Sequence, residues 1–456
     1  MQHRLKRSVA LPCRAEEAFA WHEMPGVLER LTPPWVHYDN LKREGGISVG
    51  ATTSMRLKVG PLSLGWRSEH TRYEPGRCFA DRMVKGPFSR FEHTHTFENI
   101  GEGCRLTDEL VYSLPMAPAS NLVAKYWVRR DLERMFRYRH LITARDLARY
   151  TASAKTDKPV VAISGASGVI GSALVPFLLS QGYGVKTLVR RKPKVASEIF
   201  WDPEAGVMDA EGLSGCDVVI HLAGENIGDG RWTPEKRERI IASREKGTTL
   251  LTRTASSLEN GPKLFLSASA VGFYGDCQCG AVSEKSCHGD AFISKVCHLW
   301  ERAAVENWTR KEGRLVNLRI GVVLTPAGGA LARLLPVFKA GLGGTIGSGK
   351  QYMSWISMED VLSAMVHIME TPELSGPVNL TAPTPETNRG FTKTLARTVN
   401  RYALTHLPSP LVTAAFGAMG REVLLEGVKA LPEALLDSGY TFIHPTLDSA
   451  LSEVIL

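Results

Sequence analysis

The stretch KPVVAISGASGVIGSALVPFLLSQGYGVKTLVRR, residues 158–191, decides the fold. It reads as an apolar strand (Val160–Ser164), a glycine-rich turn, a helix over about residues 169–181 and a second apolar strand (Val185–Val189). Strands this apolar, joined by a helix, are typical of a parallel sheet that is covered on both faces. We therefore predict an α/β fold with a doubly wound, Rossmann-type parallel sheet.

The turn in this stretch has the G-x-x-G-x-x-G spacing of a dinucleotide-binding loop. Gly165 permits a tight turn, Gly168 lets the backbone approach a pyrophosphate, and Gly171 packs the helix on the strand. The helix N-terminus then offers free N–H groups to the phosphates. The residues predicted to bind the dinucleotide are Gly165, Ala166, Ser167, Gly168, Val169, Ile170 and Gly171.

The end of the second strand indicates which dinucleotide binds. An acidic residue there suits the ribose hydroxyls of NAD(H), whereas arginine accommodates the 2′-phosphate of NADP(H). The sequence is LVRRKPK, with Arg190 and Arg191, so NADP(H) is favoured over NAD(H). The alternative interpretation is a solvated pair of surface arginines. Asp202, in FWDPEAG, is a candidate contact for the adenine or else an ordinary turn residue.

Two later strands also end in residues that are expected to face the cofactor. One ends in the turn HLAG, where Leu222, Ala223 and Gly224 are expected to lie along the dinucleotide. The other, in LFLSASAVGFYGD, carries Ser267 and Ser269 at its end. Because the carboxyl ends of parallel strands meet at one edge of the sheet, these residues are expected to lie in one cleft.

Residues 1–150 have a different pattern. A short strand and a helical segment over 14–31 precede five strand-like pieces between residues 52 and 115. Their alternation and their Gly, Asp and Asn punctuation indicate an antiparallel sheet. A long basic amphipathic helix over 121–150 closes the region, which gives the plan of a helix-grip fold. The alternative is an α+β domain with a filled core.

Composition narrows the class of protein. A chain of 456 residues allows two or three domains, and its 43% hydrophobic and 22% charged residues are typical of globular proteins. No apolar run is long enough to cross a bilayer, and the N-terminus lacks the pattern of a signal peptide. We therefore expect no transmembrane segment and a cytoplasmic location.

The cysteines raise the question of a metal site. Cys277, Cys279, Cys287 and Cys297 lie close together in sequence, with His288 beside one of them. Their spacing lacks the paired C-x-x-C ligands of a zinc site. We therefore predict free thiols and no metal.

Positive charge is concentrated in residues 1–150, which hold 24 Lys and Arg against 17 Asp and Glu, in a chain of net charge +8. Much of it lies on the predicted helix over 121–150. An anionic ligand or a membrane surface would suit such a face, as would a solvated helix. No nucleic-acid-binding motif accompanies it, so no nucleic-acid partner is expected.

Several of these motifs carry a family resemblance. The segments SGASGVIGSALVPFLLSQGY, HLAGENIGDGRWT, SASAVGFYGD, LRIGVVLTPAGGAL and GSGKQYMSWISMEDV resemble the extended short-chain dehydrogenase/reductase superfamily. Within it they resemble the epimerase-family subgroup, also called SulA-like or NAD-dependent epimerase/dehydratase-like. The tail from residue 406 resembles the C-terminal domain of unknown function of that subgroup. Residues 1–150 resemble the START-like polyketide-cyclase/dehydrase superfamily.

The resemblance implies a division into domains and a set of ligands. The implied parts are a START-like domain (1–150), a linker (151–157), an NADP-binding Rossmann domain (158–395) and a small helical C-terminal domain (396–456). It also implies a small-molecule substrate of unknown identity, an apolar ligand in the first domain and, by analogy with the superfamily, a homodimer. The residues expected on the substrate side of the cleft are Glu225, Asn226, Arg231, Trp232, Met353 and Trp355.

Enzymes of the superfamily use a tyrosine as acid and base, a lysine one helical turn later, and a serine that polarises the same oxygen. The stretch AFISKVCHLWE, residues 291–301, shows that this chain has lost two of the three. Counting back from Glu301 places Cys297 at the lysine position and Ile293 at the tyrosine position. Isoleucine transfers no proton, so the usual mechanism is ruled out.

The serine is retained as Ser269, and two side chains are candidate replacements for the missing acid. These are Tyr274, on the loop after the serines, and Cys297, if its thiolate is stabilised. A third residue, Lys295, is charged but lies two residues off the required helical face. Three functions stay open at this point, one of them a membrane-surface adaptor that works through the basic helix over 121–150. Another is an NADP(H)-dependent oxidoreductase or epimerase-like enzyme with an altered active site. The third is a non-catalytic sensor of NADP(H) and an apolar ligand.

Overall fold

The computed structural model describes residues 2–60, 62–115, 121–153 and 157–455, without side chains at 121–125 and 278–279. The chain divides into two compact units, one of residues 1–158 with 176–182 and one of residues 159–175 with 183–456. Among the described residues, no helix is both long and apolar enough to cross a membrane.

The first unit is built on one antiparallel sheet and a long helix. The sheet has seven strands, and the helix that follows its last strand in sequence is 33 residues long. The elements are β1 (Gln2–Leu11), α1 (Ala15–Glu23), α2 (Val27–Leu31), β2 (His37–Glu44), β3 (Thr52–Val59), β4 (Leu62–Glu74), β5 (Cys78–Lys85), β6 (Arg90–Ile100), β7 (Gly103–Ser113) and α3 (Asn121–Ser153).

This unit confirms the antiparallel sheet and the closing helix, with three differences of detail. The strand order is β1-β7-β6-β5-β4-β3-β2, and β2 has no counterpart in the sequence prediction. The single helical segment predicted over 14–31 is two helices, because Gly26 adopts φ +83° between them. The long helix α3 continues through the first residues of the predicted linker, and residues 154–156 lie outside the described part of the chain.

The core of the first unit lies between α3 and the sheet. Phe136 and Ile142 of α3 are buried against apolar side chains of the strands, among them Leu110 and Phe97. Full burial of such a side chain stabilises the fold by about 1.5–3 kcal/mol relative to exposure. The same face of the sheet also carries polar side chains, which are described below.

The second unit begins with the elements that the opening stretch predicts, with bounds shifted by at most two residues for the helix. Its elements up to α7 include a 3₁₀ turn (Val271–Tyr274). They are β8 (Val160–Ser164), α4 (Gly171–Ser180), β9 (Gly184–Val189), β10 (Glu198–Asp202), β11 (Val207–Met208), α5 (Ala210–Leu213), β12 (Val218–His221), α6 (Pro234–Ser257), β13 (Leu264–Ala270), β14 (Cys277–Val282) and α7 (Phe292–Asn307).

The remainder of this unit contains shorter strands and six further helices, together with a π-helical turn (Arg421–Leu425) before β23. The elements are β15 (Arg314–Ile320), β16 (Val322–Leu324), α8 (Gly329–Lys339), β17 (Gly344–Ile346), β18 (Tyr352–Met353), β19 (Trp355–Ser357), α9 (Met358–Glu370), β20 (Gly376–Leu380), β21 (Glu386–Thr387), α10 (Asn388–Thr398), β22 (Thr405–Leu407), α11 (Ser409–Gly420), β23 (Val428–Ala430), α12 (Glu433–Asp437) and α13 (Leu447–Ile455).

The main sheet of the second unit has eight strands in the order β11-β10-β9-β8-β12-β13-β15-β20. All neighbours are parallel except β10 and β11. The chain winds away from β8 in one direction and returns beyond it in the other, so the order reverses between β8 and β12. Ligands of doubly wound sheets bind at such a switch point, outside the carboxyl ends of the strands. The fold thus confirms the Rossmann-type prediction and indicates where a cofactor cleft lies.

The C-terminal residues are tied into this unit by short strands. β23 pairs with β14, and β22 pairs with β17, both in parallel. The boundary at residue 396 stays a prediction, since both sides of it belong to one compact unit.

Candidate functional site

The glycine loop and the HLAG turn meet at the switch point. Gly165 adopts φ +73°, and a Cβ added there would lie 2.8 Å from the backbone nitrogen of Ala223. A Cβ at Gly171 would collide with the carbonyl oxygen of Gly165. Between these two tight points, Ser167, Gly168 and Val169 are exposed. The backbone there is open to a ligand, so the loop fits a dinucleotide pyrophosphate.

A buried histidine anchors the HLAG turn from behind. Nδ1 of His221 lies 2.6 Å from Ser164 Oγ, and its Nε2 lies 3.1 Å from Thr248 Oγ1. The Ser164 hydroxyl in turn accepts a hydrogen bond from the Leu222 N–H. Burial, with the nearby positive charge of Arg244, lowers the pKa of His221 to about 3, so the ring is neutral at pH 7. This network positions the backbone of the turn beside the glycine loop.

The two arginines after β9 differ in their surroundings. Arg191 is held by Glu198, whose two carboxylate oxygens accept from its two terminal guanidinium nitrogens. That pairing, with a backbone N–H from Lys194, lowers the pKa of Glu198 to about 2. Arg190 is exposed. The pair therefore presents one guanidinium that is neutralised by a carboxylate and one at the surface.

The other two predicted cofactor residues have local environments of their own. Asp202 accepts hydrogen bonds from the backbone N–H groups of Glu204 and Ala205, which closes the turn after β10. Ser267 is fully buried on β13, and within the described part of the chain its hydroxyl has no hydrogen-bond partner. Their contacts with a cofactor stay predictions.

Helix α7 presents the positions that carry tyrosine and lysine in the superfamily. Ile293, Cys297 and Glu301 are all buried on the same side of the helix, as their four-residue steps require, and their match to the tyrosine and lysine positions stays a prediction. A Cβ at Gly272 would lie 3.0 Å from Ile293 Cγ1, so the isoleucine packs on the 3₁₀ turn. Burial raises the pKa of the Cys297 thiol to about 12, with the Glu301 carboxylate acting in the same direction. Cys297 is therefore a neutral thiol at physiological pH.

Ser269, the retained serine, belongs to a buried polar network. Its hydroxyl donates to Glu301 Oε1 at 2.7 Å. Arg319, on β15, donates to both carboxylate oxygens of Glu301, each at 2.9 Å. Ser269, Glu301 and Arg319 are all less than 10% exposed. Because Arg319 binds both carboxylate oxygens of Glu301 in a buried environment, the ion pair holds Glu301 in a fixed position beside the serine.

Tyr274 lies at the other end of this network. Its hydroxyl accepts from Arg319 Nη1 at 2.9 Å and donates to Asn379 Oδ1 at 2.7 Å. The side chain is 2% exposed, and burial raises the pKa of the phenol. The hydroxyl therefore has both a donor and an acceptor in the interior of the fold.

The side chains expected on the substrate side are largely engaged with the protein itself. Arg231 donates to the carbonyl oxygens of Ala414 and Ala415, in α11. Trp232 is buried and donates to Ile227 O, and its ring packs on Phe292. These contacts give both side chains a role in packing the turn after HLAG.

The remaining substrate-side candidates divide in the same way. Glu225 forms an ion pair with Lys236 at 2.6 Å, while Asn226 closes a turn through Asp229 and Gly228. Trp355 is fully buried and donates to Thr384 O. Met353 is half-buried. Substrate contacts of these residues stay predictions.

Three buried polar residues of this region escaped the sequence analysis. Asn379 lies on the otherwise apolar strand β20, and Arg319 lies near the end of β15 as a buried charge, which is an anomaly in a central strand. Arg244, from α6, donates to the carbonyl oxygens of Glu225 and Ile240, and its guanidinium lies 4.7 Å from the Trp300 ring. No sequence motif marks Arg244, because its position depends on how α6 packs against α7.

Among the described side chains, Cys287 is an exposed free thiol and Cys297 a buried one, while Cys277 is half-buried. The side chain of Cys279 lies outside the described residues.

Comparison with known protein families identifies three matched regions. The profile described as the NAD dependent epimerase/dehydratase family matches residues 161–380. The one described as domain of unknown function 1731 matches residues 407–454. The one described as polyketide cyclase/dehydrase and lipid transport matches residues 2–138. All three resemblances inferred from the sequence are confirmed.

Individual relatives agree with these matches. An epimerase family protein of Mycobacterium bovis is 43% identical over 292 residues, which is 64% of this chain and 96% of the relative. The human epimerase family protein SDR39U1 is 37% identical over 298 residues, or 65% of this chain and 99% of the relative.

Two solved structures are also similar. The crystal structure of a nucleoside-diphosphate sugar epimerase from Corynebacterium glutamicum covers 99% of this chain and 90% of its own, with 28% identity and a TM-score of 0.81. A crystal structure of human SDR39U1 with NADPH covers 65% of this chain and 99% of its own, with 35% identity and a TM-score of 0.61. From the matched profile, the relatives and the switch-point cleft we conclude that the chain belongs to the NAD-dependent epimerase/dehydratase family, within the extended short-chain dehydrogenase/reductase superfamily.

Proposed function

We propose that this protein is an NADP(H)-binding oxidoreductase of the extended short-chain type that acts on an alcohol or carbonyl substrate without the Tyr-x-x-x-Lys pair. The observation that carries the proposal is the hydrogen bond from Ser269 to Glu301 at the carboxyl end of β13. It supplies a proton path at the edge of the sheet where the superfamily carries its catalytic serine. An epimerase-like reaction would use the same path in both directions.

The cofactor part of the proposal rests on the loop at the switch point. The open backbone of residues 167–169 would hold the pyrophosphate, and Arg190 would contact the 2′-phosphate. The NADPH found with human SDR39U1, which is 35% identical to this chain, supports NADP(H) over NAD(H). When bound, NADP(H) supplies or accepts the hydride.

Ser269 and Glu301 would move the proton. In the alcohol-to-carbonyl direction, Ser269 Oγ accepts the proton of the substrate hydroxyl while its own proton passes to Glu301 Oε1. The hydride leaves the carbon that bears this hydroxyl, so the substrate loses a proton from oxygen and a hydride, which carries two electrons, from carbon. In the reverse direction, Glu301 returns the proton through Ser269. Arg319 donates to both carboxylate oxygens of Glu301 and so orients the carboxylate toward the serine.

A candidate replacement for the missing lysine is Arg244. Its buried guanidinium lies 4.7 Å from the ring of Trp300, on the same helix as Cys297, the residue assigned to the lysine position. It also lies against Gly224, where an added Cβ would be 3.3 Å from Arg244 Cζ. A positive charge at this place would face the end of the HLAG turn, which is predicted to lie along the cofactor.

The test is hydride transfer by the full-length protein. A panel of aldehydes and ketones is incubated with NADPH that is deuterated at the transferable position, and the products are analysed by mass spectrometry. We expect one deuterium in a product. Ser269→Ala should remove most of the turnover while NADPH still binds, and Ser257→Ala, at a surface serine of α6, should match the wild type. Equal turnover of Ser269→Ala and wild type would overturn the proposed proton path.

A second candidate function is a non-catalytic sensor of NADP(H) and an apolar ligand. Its supporting observation is that both candidate replacement acids, Tyr274 and Cys297, are buried and hold their protons. In this case no deuterium transfer occurs with any substrate. Linkage then requires that a fatty acid or other apolar ligand changes the NADPH affinity by the same factor as NADPH changes that ligand's affinity. A cytoplasmic location and a homodimer stay predictions under both functions.

A further inference from the structure

The first unit contains a cluster of histidine and aspartate side chains on the inner face of its sheet. His93 and His95 are two residues apart on β6, so both project from the same face. Asp81 on β5 lies directly opposite His93, and Asp108 on β7 lies directly opposite His95. Residues directly opposite in an antiparallel pair share a face. The strand register therefore brings two imidazoles and two carboxylates together.

Three of these side chains are close enough to share one ion. One ligand atom each from Asp81, His93 and His95 lie within 4.8 Å of one another. Nδ1 of His93 is 3.9 Å from Asp81 Oδ1. Ligand atoms around a tetrahedral zinc ion sit about 3.4 Å apart, since the metal–ligand distances are about 2.0–2.2 Å. Small side-chain rotations bring the three groups to that spacing.

Asp108 holds the opposite side of both imidazole rings. Its Oδ1 lies 2.9 Å from His93 Nε2 and 2.6 Å from His95 Nδ1. Its Oδ2 lies 2.5 Å from Nε2 of His140, a residue of α3. A carboxylate that binds one ring nitrogen orients the other nitrogen toward a metal, which is the usual arrangement behind histidine ligands. The remaining nitrogens are His93 Nδ1 and His95 Nε2.

The cluster is buried and incompletely paired. His93, His95 and Asp108 are each about 5% exposed. Nδ1 of His95 lies close to Asp108 but lacks the geometry of a hydrogen bond, and it has no other partner among the described residues. A buried polar atom without a partner costs about 1–3 kcal/mol. An ion on His95 Nε2 would fix the proton on Nδ1, where it faces Asp108, and two carboxylates balance the charge of one divalent cation, so no net charge would stay in the interior.

We propose that Asp81, His93 and His95 bind a divalent transition-metal ion, with Zn²⁺ the first to test, and that Asp108 and His140 position the two imidazoles. Two histidines and one carboxylate are an established ligand set for zinc and for iron(II). Three protein ligands leave a fourth coordination position for water or for an oxygen of a ligand in this unit. The site is independent of the cofactor cleft, because every residue in it belongs to the first unit.

The experiment uses the full-length protein without a histidine tag. The protein is stripped with a chelator, loaded with zinc sulfate, desalted and analysed for metal by mass spectrometry. We expect about one zinc per chain. His93→Gln/His95→Gln should abolish stoichiometric binding, and His140→Gln should weaken it by about 10- to 100-fold, as losses behind metal ligands do. His37→Gln, at an exposed histidine of β2, should bind like the wild type.

A second set of measurements identifies the type of ligand and shows whether a variant that loses zinc is still folded. Co²⁺-loaded wild type should show the visible bands of a tetrahedral nitrogen and oxygen site without a thiolate charge-transfer band. Asp81→Asn preserves size, and its circular dichroism should match that of the metal-free wild type while its zinc affinity falls at least tenfold. Absence of zinc in the wild type, unchanged binding by His93→Gln/His95→Gln, or a thiolate band that disappears in Cys287→Ser would each overturn the proposal.

Discussion

Glu301 and Arg319 form an ion pair with two 2.9 Å contacts in the interior of the Rossmann unit, and the carboxylate of the pair also accepts the hydroxyl of Ser269. Both side chains are at most 10% exposed. Loss of one partner leaves the other charge buried and unpaired, which costs about 3–5 kcal/mol.

The ion pair leads to a prediction on stability. Glu301→Gln should lower the free energy of unfolding by about 3–5 kcal/mol, because Arg319 then keeps an uncompensated charge. Glu301→Met/Arg319→Met should recover much of that loss, since no charge stays buried. Chemical denaturation followed by tryptophan fluorescence measures both. The single variants Glu301→Met and Arg319→Met give the comparison. If the double variant lost more free energy of unfolding than these two lose together, the pair would owe its stability to something other than charge compensation.

Tyr274→Phe distinguishes a structural from a catalytic tyrosine. The change removes the donor to Asn379 and the acceptor of Arg319, and we expect a loss of about 1–3 kcal/mol in stability. The rate of hydride transfer should change little, because the phenol is buried and engaged on both sides. A thermal melt and a turnover assay on the same preparation test this. A fall in kcat of about 10²-fold or more with unchanged stability would restore Tyr274 as the acid.

Cofactor preference should depend on the two arginines after β9 in different ways. Arg190→Ala should weaken NADPH binding by about 10- to 100-fold and leave NADH binding unchanged, since a hydrogen bond between charged groups contributes about 1.5–3 kcal/mol. Glu198→Gln should strengthen NADPH binding, because it releases Arg191 from its carboxylate. Isothermal titration with both cofactors measures these affinities, with Arg302→Ala on α7 as the control. Equal losses for NADPH and NADH in Arg190→Ala would contradict a role in binding the 2′-phosphate.

Stability should also depend on pH through His444. Burial lowers the pKa of this imidazole, but its contacts with Asp360 and with Glu453, at 2.7 Å, outweigh burial and raise the pKa to about 9. A group whose pKa is raised on folding contributes its full stabilisation below the pKa of the unfolded state, which is about 6.5 for histidine. That stabilisation is lost as the pH rises to 9.

The wild type should therefore lose up to about 3 kcal/mol of stability between pH 6.5 and 9 through this group. His444→Gln should be less stable at pH 6 and should lack this part of the decline. Urea denaturation at a series of pH values gives the comparison. Parallel curves for the two proteins would show that His444 titrates normally.

The reactivity of the cysteines tests the thiol hypothesis within one chain. Burial holds the pKa of Cys297 at about 12, whereas Cys287 is exposed. Iodoacetamide at pH 8 should modify Cys287 and leave Cys297 unmodified until the protein is unfolded, because the thiolate is the reactive form. Peptide mapping after alkylation measures both sites. Rapid modification of Cys297 in the folded protein would revive it as a nucleophile.

Much of the fold was predictable because its signals are local. The apolar run before Gly165, the glycine spacing and the next apolar run all lie within thirty-odd residues, and their periodicity specifies strand, turn and helix. The loss of the catalytic pair was equally local, since Ile293, Cys297 and Glu301 lie at four-residue steps on one helix. The strand β2 and the break at Gly26 were missed, because neither carries a strong pattern of its own.

The roles of individual side chains depend on contacts between residues far apart in sequence. Tyr274 is next to the predicted active site in the chain, yet its hydroxyl is held by Arg319 and Asn379, from two other strands. Trp232 and Trp355, expected on the substrate side, are buried and donate to backbone carbonyl oxygens, and their contacts with a substrate stay predictions. Sequence alone distinguishes a cleft-facing aromatic from a buried one only weakly, because both are apolar.

The sequence by itself determined the fold class, the dinucleotide loop, the family and the missing tyrosine and lysine, since each depends on neighbouring residues whose backbone geometry follows from their own chemistry. Only the tertiary structure decided which polar side chains meet. The hydrogen bond from Ser269 to Glu301 requires β13 to lie beside α7, and the cluster of His93, His95, Asp81 and Asp108 requires the register of three strands. Register and helix packing come from burial of the whole apolar core, which no single segment encodes.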